Sequence, residues 1–156
     1  MVTLGHLSVE RDRSAYMEKV VELCTHATDA ERCTVYLVDT ERGELRSAIA
    51  QRLDDAIRLA VGRGLAGHVA ATGETINVAE AYADSRFDPS VDMRSGFRTT
   101  NMLAVPVWDG RTIVGVIQVL NKADGAFERH DQMLLERIAD AIGPALASAA
   151  RAGGMG

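Results

Sequence analysis

The chain has 156 residues, 47% of them hydrophobic and 25% charged, which suits one globular domain with a sizeable core and argues against disorder or a fibrous class. Its net charge is -5 and its Lys and Arg form no stripe, which argues against a nucleic acid polymer as partner. No apolar run reaches the roughly 20 residues that cross a bilayer, and the start, MVTLGHLSVERDR, lacks a signal-peptide core, so a cytoplasmic domain without membrane contact is expected.

From Val9 to Ala27, the residues Tyr16, Val20, Leu23, Cys24 and Ala27 recur at helical spacing and predict an amphipathic N-terminal helix. Next, CTVYLVD alternates Cys33, Val35 and Leu37 against Thr34, Tyr36 and Val38, and Glu41-Arg42-Gly43 turns the chain into ELRSAIA, which predicts a hairpin. Cys24 and Cys33 are too few for a disulfide framework and lack metal-ligand spacing with the four histidines, so two buried thiols are expected. Ile57 to Val61 reads as a strand feeding a short helix, LAGHVAATG, that stops at Gly73. Thr75 to Val78 is another short strand.

The segment AYADSRFDPSVDMRSGFRTT is polar, and Pro89 and Gly96 break any long element in it. At about twenty residues it is too long for an idle connector. With little apolar area of its own, it is expected to exchange its amides quickly. Asn101 to Trp108 and Arg111 to Leu120 then form a hairpin through Asp109-Gly110, a pair suited to a two-residue turn with positive φ at both positions. Asp131 to Ala150 carries Leu134, Leu135, Ile138, Ile142 and Leu146 at helical spacing, with Pro144 expected to kink or end the helix near Gly143 and residues 151–156 expected to fray. This order predicts one α+β domain over residues 1–156 with an antiparallel sheet and helices on its faces. Val9, Tyr16, Val20, Leu134, Ile138 and Ile142 exceed what one sheet face covers, so a homodimer through the terminal helices is expected.

Gln118 interrupts the apolar run IVGVIQVL, and a buried amide left without a partner costs about 1 to 3 kcal/mol. Its partner is therefore a protein group or a ligand. Gly64-Leu65-Ala66-Gly67 opens a short helix whose first amides have no intrahelical partner and can receive an anionic oxygen, although Gly-x-x-Gly also fits a plain strand-to-helix turn. Lys122 and Asp131, nine residues apart with Phe127 between them, can pair across the strand-to-helix connection. By charge pattern alone this is a solvated surface pair worth under about 1 kcal/mol. His68 and His130 stand alone on helix surfaces, and the chain carries no catalytic triad, obvious carboxylate pair or phosphate loop.

The pieces GLAGHVAATGETINVAEAYADSRFDPSVD, GFRTTNMLAVPV and VIQVLNK resemble a GAF domain of the cyclic-nucleotide-binding type, found in phosphodiesterases and bacterial adenylyl cyclases. That family carries the signature N-K-(x)n-F-x-x-x-D-E, and this chain reads NK-ADGA-F-ERH-D followed by Gln132, so the final acid alone is missing. The resemblance covers about residues 15–147, the core of the domain. It implies a six-stranded antiparallel sheet with the terminal helices on one face and a ligand pocket with its lid on the other. It further implies that Asn121, Lys122, Phe127 and Asp131 support the pocket without gripping ligand. Thr34 and Gln118 would approach a purine edge, as would Gln51, while Leu65 and Ala66 would offer amides to a cyclic phosphate. Asp88, Asp92, Ser95 and Thr99 would contact the ligand from the lid.

Some relatives carry an acid where this chain has Gln118, and another where it has Gln51. An amide donates and accepts, so the choice between cyclic AMP and cyclic GMP stays open. The resemblance implies a sensor that binds and does not transform its ligand, with no cofactor. Free methionine sulfoxide reductases share the fold but use pocket cysteines, and bilin-binding members attach their chromophore through one, whereas no Cys follows Cys33 here. The other reading is an interaction or dimerisation module whose pocket is empty, filled by side chains, or tuned to another metabolite.

Overall fold

A computed structural model describes residues 4–50 and 57–154, and the side-chain surroundings of residues 14–48 and 57–151. The helix α1 (Leu4–Thr28) leads into the hairpin β1 (Ala30–Asp39) and β2 (Glu44–Ala50), followed by β3 (Arg58–Ala60), α2 (Gly64–Thr72) and β4 (Ile76–Val78). A single 3₁₀ turn (Ala81–Ala83) and the short helix α3 (Ser90–Ser95) lie within the long polar segment, before β5 (Met102–Asp109), β6 (Thr112–Lys122) and α4 (Arg129–Gly154). The strands form one six-stranded antiparallel sheet in the order β3-β2-β1-β6-β5-β4.

The two-residue period of the strands separates two cores. Cys33, Val35 and Leu37 of β1 join Leu103, Val105, Val107, Ile117 and Val119 in packing against Val21 and Cys24 of α1 and Leu135, Ala139 and Leu146 of α4. Tyr36, Met102, Ala104, Val116 and Leu120 point the other way and pack with Leu65, Ala66 and Val69 of α2. Both faces of β5 and β6 are therefore covered, which explains their nearly unbroken apolar runs. Cys24 and Cys33 are buried free thiols in the first core, and their mutual hydrogen bond, then burial, push the Cys33 thiol well up, which keeps it unreactive.

Three expectations change in detail. Pro144 does not end α4: the helix runs on to Gly154, because Leu146 and Ala147 beyond the proline are buried and packing outweighs one missing amide donor. A Cβ at Gly143 would strike the Trp108 carbonyl, so the residue beside the proline serves close approach of α4 to β5. The stretch expected to fray is helical as far as Gly154, and residues 155–156 lie outside the described residues. In the β5–β6 hairpin Asp109 pairs with Thr112, so Gly110 and Arg111 are the central residues, and of these two Gly110 alone has positive φ, +62°. This is the glycine-first arrangement of a two-residue turn.

The surplus apolar surface on the terminal helices is smaller than expected. Val20 and Ile142 belong to the domain's own core, and Ile138 packs against it half-buried, as Leu134 is also half-buried. Tyr16 is exposed, as are Leu23 and Met133, while the side chain of Val9 lies outside the described residues.

Candidate functional site

On the face of the sheet opposite α1 and α4, a cavity of about 50 Å³ lies between β6, the start of α2 and the long polar segment. Tyr36, Met102, Gln118 and Leu120 line it from the sheet, Gly64, Leu65 and Ala66 from α2, and Phe87, Asp88, Val91, Asp92 and Thr99 from the lid. Gln118 is buried and its Nε2 donates to the Tyr36 hydroxyl at 3.3 Å, so the amide in the apolar strand has a side-chain partner on the cavity floor. Burial pushes the Tyr36 phenol far above its ordinary value, which keeps it neutral. Thr34 pairs directly across the ladder with Gln118 and shares its face, buried, but it stands outside the cavity lining.

The lid is held more firmly than its composition predicts. The Asp92 carboxylate is buried and accepts from the Tyr82 hydroxyl at 2.8 Å, the Thr99 amide at 2.7 Å and the Thr99 hydroxyl at 2.8 Å. Phe87, Val91 and Phe97 turn inward onto the second core. Arg98 lies 4.3 Å over the Tyr82 ring and Arg32 lies 3.7 Å over Phe97, contacts that fasten the segment further. A few well-spaced aromatic and aliphatic residues and one carboxylate hub thus hold the segment against the sheet.

Two further carboxylates brace the lid. Asp88 accepts from the Ser90 amide at 3.0 Å and pairs with Arg63 at 3.1 Å, and these contacts, Ser90 first, hold its carboxyl below the usual range. Asp84 is held low chiefly by the Arg86 guanidinium at 2.7 Å. Because both folded values lie below the unfolded one, near 3.9, their stabilisation is complete above that pH and is lost as pH falls through the lowered values. An NMR titration of the Arg86 and Ser90 amides is expected to show midpoints below about 3.9 and flat shifts between pH 5 and 7. Midpoints above that value would contradict the bracing role.

Beyond the cavity, the end of β6 ties lid to helices. Asn121, with φ +58°, accepts from the Thr100 amide at 2.6 Å and donates to the Arg98 carbonyl at 2.9 Å, which clamps the last residues of the lid. Lys122 Nζ lies 2.8 Å from Asp131 at the start of α4 and donates to the Thr28 carbonyl at the end of α1 at 3.2 Å. The two side chains are 15% and 4% exposed, so this is a buried pair and not the solvated one that charge pattern alone predicts. Phe127 is buried nearby, with its ring centroid 5.9 Å from Lys122 Nζ. None of Asn121, Lys122, Phe127 and Asp131 lines the cavity.

Leu65, Ala66, Asp88, Asp92, Thr99 and Gln118 are therefore brought together around one cavity, with Thr34 adjacent. Ser95 is exposed and accepts from the Phe97 amide at 3.3 Å, away from the lining, because the C-terminal end of α3 turns it outward. Gln51 lies outside the described residues. Sequence reasoning missed Tyr36 and Tyr82. The alternation that places Thr34 on the pocket face also places Tyr36 there, whereas nothing local ties Tyr82 to Asp92, ten residues on. Among the described residues no group of three or more His, Cys, Asp and Glu can hold a metal ion, and no helix is long and apolar enough to cross a membrane.

Comparison with known proteins places this architecture. The chain is 33% identical over 145 residues to a probable 3',5'-cyclic phosphodiesterase pde-5 of Caenorhabditis elegans, covering 85% of this chain and 20% of that protein. It is 36% identical over 102 residues to a cGMP-specific 3',5'-cyclic phosphodiesterase of Drosophila sechellia, covering 63% of this chain and 8% of that protein. The chain thus spans a fifth or less of the length of these relatives. Among solved structures, the GAF domain of a phosphoenolpyruvate-protein phosphotransferase from Coxiella burnetii superposes with a TM-score of 0.79 at 22% identity, covering 92% of this chain and 86% of that one. A free methionine-R-sulfoxide reductase from Neisseria meningitidis superposes with a TM-score of 0.74 at 21% identity, covering 90% and 81%. Both share the fold. The family model of the GAF domain matches residues 12–146, nearly the whole fold described above, and the chain belongs to the GAF domain family of regulatory small-molecule-binding modules.

Proposed function

We propose that this GAF domain is a non-catalytic sensor of a cyclic mononucleotide, cyclic AMP or cyclic GMP, within a larger signalling protein. The observation that carries the reading is the convergence of the Gln118 amide, the start of α2 and the lid residues Asp92 and Thr99 on one cavity. Similarity to cyclic phosphodiesterases adds support. Arg63 precedes α2 without a side-chain cap, so the first amides of the helix remain available to a cyclic phosphate, and Gln118 faces a purine edge with an amide that donates and accepts.

At about 50 Å³ the cavity is far below the roughly 300 Å³ at which small-molecule sites begin, so binding and lid movement are one event. Lid movement reaches the clamp at Asn121 and, through Lys122, the end of α1 and the start of α4. Differential affinity for the two lid arrangements would bias those helices and any output domain beyond them. A homodimer through the terminal helices completes this reading, with exposed Tyr16, Leu23 and Met133 as its apolar contacts. Light scattering of a Leu23→Glu variant should then show monomer where the parent chain shows dimer.

The same small cavity favours a second reading, an interaction module whose pocket is filled by its own Tyr36 and Phe87. A thermal-shift panel separates the two. A ligand at 100 times its dissociation constant stabilises by about 2.7 kcal/mol, and for a domain of this size that raises the melting temperature by roughly 5 to 11 °C. The sensor reading predicts such a shift for a cyclic mononucleotide and less for ATP. No shift with any nucleotide supports the filled pocket.

A further inference from the structure

The cavity under the lid is partly open and shares one wall with a groove outside it. Gly64, Phe87 and Asp88 line both the inner cavity and an outer groove of about 460 Å³, whose lining also includes Arg63, His68 and Arg86. A ligand too large for the inner cavity must displace some part of its enclosure. The Asp92 hub is buried and triply bonded, so that part of the lid resists displacement. The Asp88 bond to the Ser90 amide lies within the lid, whereas its tie to the entry of α2 is the pair with Arg63, whose side chain is 74% exposed, and an exposed ion pair is a weak tie that salt screens.

The groove's other basic side chains already have carboxylates beside them, Arg86 with Asp84 at 2.7 Å and His68 with Glu74 at 3.8 Å. Arg63 is the most exposed of the three, and a guanidinium held by one carboxylate oxygen can instead bind phosphate through two parallel bonds. We infer that ligand passes through this wall, and that Arg63 makes the passage selective for an anionic ligand by exchanging the Asp88 carboxylate for the ligand's phosphate. This rests on the proposed cyclic-nucleotide reading and adds to it a specificity-determining residue on the rim, outside the cavity lining. Asp88 competes for the same guanidinium, so removing its charge frees Arg63 while loosening the wall.

The test compares the parent chain with Asp88→Asn and Arg63→Ala, both at exposed or half-exposed sites where folding is not at risk. Without ligand, hydrogen exchange of the amides of residues 84–91 is expected to quicken by about two- to fivefold in both variants, the range of a weak exposed pair, while residues 102–107 stay unchanged. Stopped-flow association of cyclic AMP and cyclic GMP is expected to be several-fold faster in Asp88→Asn and several-fold slower in Arg63→Ala. The uncharged nucleosides adenosine and guanosine should gain speed in both variants, because for them only the loosened wall matters. Unchanged exchange at residues 84–91, or Arg63→Ala acting alike on charged and uncharged ligands, overturns the inference while leaving the sensor reading intact. An absence of binding by every nucleotide in every chain sinks the sensor reading and the anion selection together.

Discussion

Lys122→Ala is expected to lower the melting temperature by roughly 6 to 12 °C. Removing one partner of a buried ion pair costs about 3 kcal/mol, since the remaining charge is left without compensation, and each kcal/mol moves a domain of this size by about 2 to 4 °C. Asp131, with a side chain 4% exposed, would keep only the Glu128 amide at 2.8 Å, and the Thr28 carbonyl would lose its donor. The double variant Lys122→Met, Asp131→Leu should recover much of the loss, because it leaves no charge buried. Ligand affinity should fall in the single variant without any contact being removed from the cavity, since the clamp at Asn121 shares its strand end with Lys122. A melting temperature within 1 °C of the parent chain would mean that the pair is solvated after all.

Asp92→Ala is expected to be the most damaging change within the lid. It strips the buried Thr99 amide and hydroxyl and the Tyr82 hydroxyl of their acceptor, and stranding such groups costs about 2 to 4 kcal/mol in total. Exchange of the amides of residues 81–100 should rise sharply while the strands stay protected, because the hub serves local closure. Ser95→Ala, at an exposed site, is the control and should leave both quantities unchanged. Equal exchange in Asp92→Ala and Ser95→Ala would remove the hub from this account.

Much of the fold is legible in the residues because burial imposes periodicity. Cys33, Val35 and Leu37 alternate with Thr34 and Tyr36, and the structure sends the two sets to opposite cores. The site is legible where a residue breaks its own pattern, as Gln118 does within an apolar strand. It is less legible where long-range packing decides. Phe87, Val91 and Phe97 are too few and too scattered to announce an element, yet they hold the lid because the sheet face lies ready beneath them. Pro144 carries a local signal to stop, and the buried Leu146 and Ala147 override it. The depth of the Lys122–Asp131 pair depends on α1 and α4 meeting over the end of β6, which no spacing within residues 122–131 conveys.

The proposed occupant of the cavity floored by Gln118 and closed by the Asp92 lid is a cyclic mononucleotide. Calorimetric titration of the chain with cyclic AMP and with cyclic GMP tests it most directly, using Gln118→Leu as the comparison. Saturable heat at one site per chain is predicted for at least one nucleotide, with affinity weakened about tenfold or more in Gln118→Leu, the cost of one lost buried hydrogen bond. No saturable heat with either nucleotide at millimolar concentration, or binding that Gln118→Leu leaves untouched, would contradict it.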